Sequence, residues 1–376
     1  MTNPGQSHKP TGPQSKTSSK LGGLLSNERG MAAVFIALMI FVLTAMASFA
    51  VDLGYAWVTQ NELQNIADAG ALAATRQLGV VYAELTPEQQ KDKSRSLTAD
   101  EKAQMLAVLE KVAGLNKAGG KSGIVISASD ISIGTWDFAT KTLTPTLVRP
   151  TAVSVTARRD DNVNGPIRTF FAGVMGKSGM NVAASATASL GPLGSLAPGE
   201  GTIPVGISKR WFDEGRACGD SIKFHPTGTL DGCAGWHTFQ DGPANASGLK
   251  KILAGLEKGT YKSPEITAGQ TELEFTGGTL ASAFDAMKSL YDAKKDPGTG
   301  EWDVKIPVYD SDDCLNPHGT MLIVGFATAT VTQVIEAPDK QIIAEVTCDE
   351  IIDGRPGGTV VDGGLSPLST APALVS

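Results

Sequence analysis

An uninterrupted apolar run near the N-terminus dominates the pattern of hydrophobic and polar positions. Met31 to Val51 comprises 21 residues without a charged side chain, and its polar members, Thr44 and Ser48, can each bond back to their own helix. At about 1.5 Å of rise per residue, a helix of this length crosses the ~30 Å hydrocarbon core of a bilayer. The pattern therefore predicts a transmembrane helix, which we assign to residues 30–52.

Two other kinds of segment contain apolar runs, and both fit less well. Buried helices of soluble proteins are usually shorter and show a polar stripe, whereas a cleaved secretory signal has an apolar region of about 7 to 15 residues. The sequence Ala50-Val51-Asp52 also leads into a continuing helical pattern without a clean cleavage site. The length of the run favours a membrane anchor.

A stripe of small residues continues the helical register beyond the apolar run and predicts a stalk helix over residues 53–80. Gln64 and Asp68, four residues apart, can bond along this helix. Small side chains allow another element to approach closely, so the stripe marks candidate helix contacts, either with the chain's own domain or with another protein. These candidates are Leu63, Ile66, Ala67, Gly70 and Ala74.

The rest of the chain predicts an α+β protein. Residues 81–190 combine helices, one of them preceded by a capping-box pattern at Thr98 and Glu101, with period-two strands from Gly123 onward. The alternating residues are Ile124 and Ile126, Ile131 and Ile133, Val153 and Val155, and Val182 and Ala184. Residues 191–201 have the glycine and proline density of a linker, and residues 354–376 that of a disordered tail.

Between these segments, residues 202–353 predict a second, β-rich α+β domain. Helices are expected at Leu249 to Leu256 and at Thr279 to Ala293. Strands are expected at Ile203 to Val205, Ile306 to Tyr309, Met321 to Val334 with a break at Gly325, and Gln341 to Val346. The fold class is therefore α+β: a transmembrane helix that continues into a stalk helix, followed by two β-rich α+β domains.

Basic residues set the expected orientation of the anchor. Residues 1–29, expected to form a disordered tail, carry Lys9, Lys16, Lys20 and Arg29 against one acid, Glu28, whereas residues 52–75 contain no Lys or Arg. By the positive-inside rule this tail stays in the cytoplasm and the remainder is exported, which makes the chain a single-pass membrane protein. A net charge of −7 without a basic stripe argues against nucleic acid as a partner.

The cysteines fit an exported chain, because all four lie after the apolar run and disulfides persist in oxidising compartments. They are Cys218, Cys233, Cys314 and Cys348. Four cysteines allow three pairings, of which proximity favours Cys218 with Cys233 and Cys314 with Cys348. No pair has the short spacing of a zinc site.

The sequence lacks a complete catalytic template, so we predict no enzyme, cofactor or metal site. Gly176-Lys177-Ser178 resembles the end of a phosphate loop, but Phe171 replaces its first glycine. The histidines, His8, His225, His237 and His318, form no H-E-x-x-H motif, and Asp310, Asp312 and Asp313 indicate a solvated turn. For Trp211, Trp236, Trp302 and Phe239 we favour the core over a partner-binding surface.

Several motifs give the chain a specific resemblance. Glu28-Arg29-Gly30 before the apolar run, Val51-Asp52-Leu53-Gly54-Tyr55 at its end and the segment from Leu63 to Ala74 resemble the N-terminal region of TadE/TadG-like proteins of the Flp (tight adherence) pilus-assembly systems. Gly134-Thr135-Trp136-Asp137 and Phe170-Phe171-Ala172-Gly173 extend the resemblance weakly. Longer members often carry a metal-binding D-x-S-x-S loop, but the string from Asp130 to Gly134 lacks its second serine.

The resemblance implies a membrane-anchored accessory or structural component of a bacterial Flp pilus or secretion apparatus. Its partners would be pilus or secretion components, with no small-molecule substrate. The implied location is the inner membrane, with the N-terminus in the cytoplasm and the C-terminal domains in the periplasm or outside the cell. A surface-displayed adhesin and an exported hydrolase remain the alternative functions.

Overall fold

Two compact units make up the chain in the computed structural model. The first unit comprises the chain up to Trp57 together with Arg168–Met180, and the second comprises Val58–Ile167 and Asn181–Ser376. The structure describes residues 28–86, 89–90, 92–213, 216, 219–224, 233–239, 242, 244–277, 281–314, 317–336, 338–347, 351–352, 354–358 and 367–376.

The helices agree with the main helical predictions. The α-helices are α1 (Glu28–Ala83), α2 (Ala99–Gly114), α3 (Lys209–Asp213), α4 (Ala246–Lys258) and α5 (Ala281–Lys294). Short 3-10 helices are formed by Ala128–Asp130 and Ala172–Met175. Helix α1 is continuous through the segments predicted as transmembrane helix and stalk helix. The prediction that the first continues into the second is therefore confirmed.

The capping box of α2 is present as predicted. The Glu101 amide donates to Thr98 Oγ1 over 3.3 Å, and the Thr98 amide donates to the Glu101 carboxylate over 2.8 Å. Arg95 pairs with the same carboxylate. These contacts satisfy amide groups that a helix start would otherwise leave without partners.

Among the described residues the strands form two principal sheets, both within the second unit, and two short two-stranded ribbons. In chain order they are β1 (Lys117–Ala118), β2 (Lys121–Ser122), β3 (Ile131–Asp137), β4 (Thr142–Pro145), β5 (Ala152–Arg159), β6 (Ile167–Arg168), β7 (Gly179–Met180), β8 (Val182–Leu196), β9 (Val205–Ser208), β10 (Ser221–Phe224), β11 (Ala234–His237), β12 (Ile266–Thr267), β13 (Glu272–Thr276), β14 (Trp302–Tyr309), β15 (His318–Ile335), β16 (Gln341–Thr347), β17 (Ile351–Ile352), β18 (Arg355–Pro356) and β19 (Leu368–Leu374).

The first sheet is organised around β8. Its strand order is β17-β19-β8-β5-β3-β4, and β12 and β18 also pair with β8. Helices α1 and α2 cover this sheet, and their buried side chains form one core with those of β3, β5 and β8. Residues 124 and 126, predicted as strand, are buried in this core without forming a strand.

The expected linker at residues 191–201 is wrong over its first half, because β8 runs through it to Leu196. Its glycines serve close packing. A Cβ on Gly191 would lie 2.8 Å from Pro356 Cβ, and one on Gly194 would lie 2.8 Å from the Gly357 nitrogen. The glycine density that resembled a flexible linker therefore allows β18 to approach β8.

The expected disordered tail at residues 354–376 is wrong for its last part. Strand β19 pairs antiparallel with β8, with Leu368 opposite Pro192 and Leu374 opposite Ala188, and Ser369 and Thr370 are buried. Backbone pairing to a long strand holds this segment although its composition is typical of loops. Residues 359–366 lie outside the described part of the chain.

The second sheet has the order β10-β16-β15-β13-β11-β9-β14, and β14 also pairs with β15, so β15, β13, β11, β9 and β14 form a closed ring. Helices α3, α4 and α5 contribute to its core. Two strand predictions need adjustment. β9 begins at Val205 instead of Ile203, and β15 continues through Gly325, where a register shift opposite Val308 and Tyr309 replaces the expected break.

We predict that Gly134→Ala destabilises the second unit. Gly134 in β3 pairs with Pro145 and Ala152, and a Cβ there would collide with the Thr144 carbonyl oxygen. Overpacking of this kind costs about 1–3 kcal/mol, measurable by denaturant unfolding. A Cβ at Gly114 would meet nothing within 4 Å, so Gly114→Ala is the matched control. Equal stability of both variants would contradict the steric explanation.

Candidate functional site

The N-terminal part of α1 presents an apolar surface that no other described residue of the chain covers. Side chains from Met31 to Val51 are exposed, apart from the partly exposed Ser48. Thr44 Oγ1 donates to the Ile40 carbonyl over 2.7 Å and Ser48 Oγ to the Thr44 carbonyl over 2.6 Å, so both hydroxyls are satisfied within the helix as predicted. By length and composition this helix can cross a membrane.

Asp52, the first charged residue after the apolar run, binds a distant segment of the first unit. Its carboxylate accepts hydrogen bonds from the backbone amides of Phe170, Phe171 and Ala172, over 2.7, 3.1 and 2.8 Å. These amides begin the 3-10 helix Ala172–Met175, and a carboxylate favours the start of a helix because amide groups point outward there. Asp52 is consequently 3% exposed.

An aromatic contact accompanies this carboxylate site. The rings of Tyr55 and Phe170 meet edge to face, with centroids 5.6 Å apart. The sequence shows both segments as separate motifs and gives no sign of their contact, because Asp52 and Phe170 are 118 positions apart. The only local signal was an isolated acidic residue at the end of an apolar run.

The predicted helix-contact residues lie in the core of the second unit. Leu63, Ile66, Ala67 and Ala74 are at most 2% exposed. A Cβ on Gly70 would lie 3.6 Å from Leu109 Cγ and 3.7 Å from Val155 Cγ1, so this glycine sits between α2 and β5. The structure thus brings all five together and packs them against the chain's own domain.

Polar contacts fix this part of α1 on the first sheet. Gln64 Nε2 donates to Asp68 Oδ1 over 2.8 Å, as predicted, and to the Ser185 carbonyl over 3.1 Å. Thr75 Oγ1 donates to the Ala188 carbonyl over 3.2 Å. Side chains that the sequence placed on a stalk therefore anchor the helix to β8.

A buried arginine, which the sequence did not single out, organises neighbouring loops. Arg159 is 8% exposed and donates to the carbonyls of Ala118, Gly119, Gly165 and Pro166 over 2.6 to 3.2 Å. Its planar guanidinium can serve several acceptors at once. This arrangement positions a loop and makes no contact typical of catalysis.

The cysteine pairing favoured by proximity is wrong. The structure joins Cys233 to Cys314, 81 positions apart, with Cα atoms 4.3 Å from each other. Chain proximity misled because β11 and the segment after β14 meet through strand pairing with β9. Cys218 and Cys348 lie outside the described residues.

The aromatic residues and His237 occupy the core. Trp211, Trp236, Trp302 and Phe239 are buried, as favoured. His237 is fully buried between Phe239 and Phe275, and its Nδ1 accepts the Phe239 amide over 3.1 Å. Burial lowers the pKa of His237 to about 3. A histidine so enclosed is inaccessible to substrate.

Other candidates for chemistry remain dispersed among the residues that the structure describes, where no three His, Cys, Asp or Glu side chains converge on a possible metal position. Asp130 pairs with Arg158 over 2.8 Å. Asp310 lies 4.0 Å from Lys209 across an exposed surface. His318 is exposed, and His8 and His225 lie outside the described residues.

Two protein-family models match the N-terminal half of the chain. The TadE/G-like Flp pilus-assembly model matches residues 30–77, and the Tad-like Flp pilus-assembly model matches residues 56–188. No match was found among curated proteins or solved structures. The family resemblance seen in the motifs is confirmed, and it supports involvement of the protein in pilus assembly.

We predict a second disulfide, Cys218–Cys348, because Cys233–Cys314 leaves only this pairing. The described neighbours of both residues are in contact: the Gly219 amide donates to the Val346 carbonyl over 2.9 Å, and the Val346 amide to the Asp220 carbonyl over 3.1 Å. Non-reducing peptide mapping should recover both linkages. Recovery of Cys218 linked to Cys233, or as a free thiol, would contradict this prediction.

We also predict that acid destabilises the second unit through His237. The histidine stays neutral in the folded state down to about pH 3 but takes up a proton near pH 6.5 when unfolded, so the free energy of unfolding falls as pH drops through this window. The slope is at most about 1.4 kcal/mol per pH unit. Chemical unfolding between pH 7 and pH 4, followed by tryptophan fluorescence, measures it.

His237→Asn tests this origin, because asparagine keeps an acceptor for the Phe239 amide but does not titrate. The variant should be less stable overall yet show a shallower loss of stability on acidification. His318→Asn, at an exposed position, is the control and should retain the wild-type slope. An unchanged slope in His237→Asn would show that another group is responsible.

Proposed function

We propose, from the match of residues 30–188 to Flp pilus-assembly families, that the protein is a membrane-anchored structural or accessory component of a bacterial Flp pilus or secretion apparatus. The single observation that carries this proposal is the combination of that match with an uncovered apolar helix at its start. The helix anchors the chain, and the domains that follow it act through contacts with other envelope proteins.

The charge distribution supports one orientation of the anchor. Four basic residues precede the apolar run and none occurs between Asp52 and Thr75, so the positive-inside rule keeps the N-terminal tail in the cytoplasm. The remainder then lies in the periplasm or outside the cell. The Cys233–Cys314 disulfide is compatible with such an oxidising compartment.

An exposed apolar pair offers a surface for protein contact. Leu115 is 79% exposed and Val125 61% exposed, at the two ends of the β1–β2 hairpin. The Gly123 amide donates to the Asn116 carbonyl over 3.1 Å, which brings the two chain segments together. Both residues lie inside the family-matched segment, so they are positions at which a contact with a partner can be tested.

A non-enzymatic role fits the same observations. An exported hydrolase would depend on His237 or a neighbouring acidic residue, and His237 is fully buried. The family match concerns assembly of a pilus. We therefore assign the protein a structural role.

The test combines topology with site-specific crosslinking in cells. Photoreactive p-benzoylphenylalanine replaces Leu115, Val125 or, as an exposed control outside the matched segment, Lys258. We expect the protein to stay in membranes after alkaline washing, its C-terminal part to be digested by protease added to spheroplasts, and positions 115 and 125 to crosslink to Flp pilus-assembly components. Mass spectrometry identifies the products.

Three outcomes would overturn the proposal. Release by alkaline washing would exclude the anchor, and protection from external protease would exclude the orientation. A correctly inserted protein that crosslinks equally from all three positions, or to no pilus component, would exclude assembly contacts. Exposure of the whole C-terminal part on intact cells without pilus components would favour an adhesin instead.

A further inference from the structure

The segment Arg168–Met180 in the first unit carries two exposed aromatic side chains. Phe170 is 64% exposed and Phe171 is 45% exposed. They stand at the start of the 3-10 helix Ala172–Met175, which ends at Gly176 with a positive φ of 84°. Two adjacent exposed phenylalanines keep apolar area in contact with water, so a partner that covers them would lower the free energy.

The contact with Asp52 fixes the level of this segment along α1. Three amides bind the Asp52 carboxylate, and the Tyr55 ring packs against Phe170. Asp52 directly follows the 21-residue apolar run, where a spanning helix leaves the hydrocarbon core. If α1 spans a bilayer as proposed, this contact places Phe170 and Phe171 at the boundary between hydrocarbon and water.

Neighbouring side chains on α1 continue the apolar surface at this level. Phe49, Val51, Leu53 and Trp57 are all exposed, and Trp57 is 66% exposed. Tryptophan is enriched at membrane interfaces because its ring combines apolar area with a polar N–H. The exposed apolar side chains of α1 thus extend beyond Asp52, the residue to which the phenylalanine segment is bound.

Basic residues flank the phenylalanine pair. Arg168 precedes it and Lys177 follows it, and both side chains are exposed. Cationic groups beside exposed aromatics match the interface of a bilayer, where phosphates lie above the acyl chains. This chemistry selects a phospholipid surface as the occupant.

We propose that Arg168–Met180 is a second membrane contact, in which Phe170 and Phe171 insert into the bilayer interface on the exported side while Arg168 and Lys177 bind lipid phosphates. The inference rests on the proposed membrane anchoring by α1. Asp52 acts as the positioning residue, since it links this segment to the helix.

The test measures depth in the bilayer with the full chain in nanodiscs of phosphatidylethanolamine and phosphatidylglycerol. A spin label is attached to a single added cysteine in Phe171→Cys, Phe41→Cys or Leu115→Cys, and its accessibility to oxygen is compared with that to a water-soluble nickel complex. We expect the oxygen-to-nickel ratio at position 171 to exceed that at position 115 several-fold, while remaining below that at position 41.

Asp52→Asn provides a second measurement. It is made with the same label at position 171 and leaves Phe170 unchanged. The amide side chain offers one acceptor oxygen in place of two, so the segment should separate from α1 and the ratio at position 171 should fall towards that at position 115. Asp161→Asn, at an exposed residue of the second unit, is the matched control and should leave the ratio unchanged.

A ratio at position 171 equal to that at position 115 would overturn this inference. If position 41 still reports lipid in that case, the anchor stands and only the second contact fails, whereas a water-accessible position 41 would contradict the anchor itself. Accessibility in nanodiscs combined with shielding in native membranes would assign the phenylalanines to a protein partner and also overturn the lipid contact.

Discussion

The requirement to remove one apolar helix surface from water governs how α1 is built. The side chains of residues 31–51 are apolar, except for hydroxyls that bond to carbonyls of their own helix. No part of the described chain covers them. From Leu63 onward the same helix is covered by α2 and the first sheet. One helix thus has two environments: lipid is proposed for the first part and protein is observed for the second.

The sequence predicted those features whose signals are local. A charge-free run of 21 residues identified the apolar helix, and the Thr98–Glu101 pair located the start of α2, because helix length and capping depend on neighbouring residues. Strict alternation found β3, β5 and β8, where one sheet face packs against helices. The buried stripe of α1 was also found, although its spacing could not distinguish contact with its own domain from contact with another protein.

Features that depend on distant partners could not be predicted. The glycines of residues 191–196 predicted a flexible linker, because composition cannot show that β18 packs closely against them. Leu368–Leu374 was predicted to be disordered, because its stability comes from pairing with β8. Proximity failed for the cysteines for the same reason, since β9 brings Cys233 and Cys314 together. The hydrogen bonds of Asp52 could not be predicted from its motif, because its partners are backbone amides and these carry no residue-specific signal.

The position of β8 constrains the order in which the chain can mature. This strand pairs with β5, made shortly before it, and with β19, which the ribosome produces only after the entire second sheet. Until β19 has been made, one side of β8 lacks its hydrogen-bonding neighbour. Unpaired strand edges attract other extended chains. Completion of the first sheet therefore follows synthesis of the second sheet, and until then the edge of β8 that pairs with β19 is a defined place for a chaperone to shield.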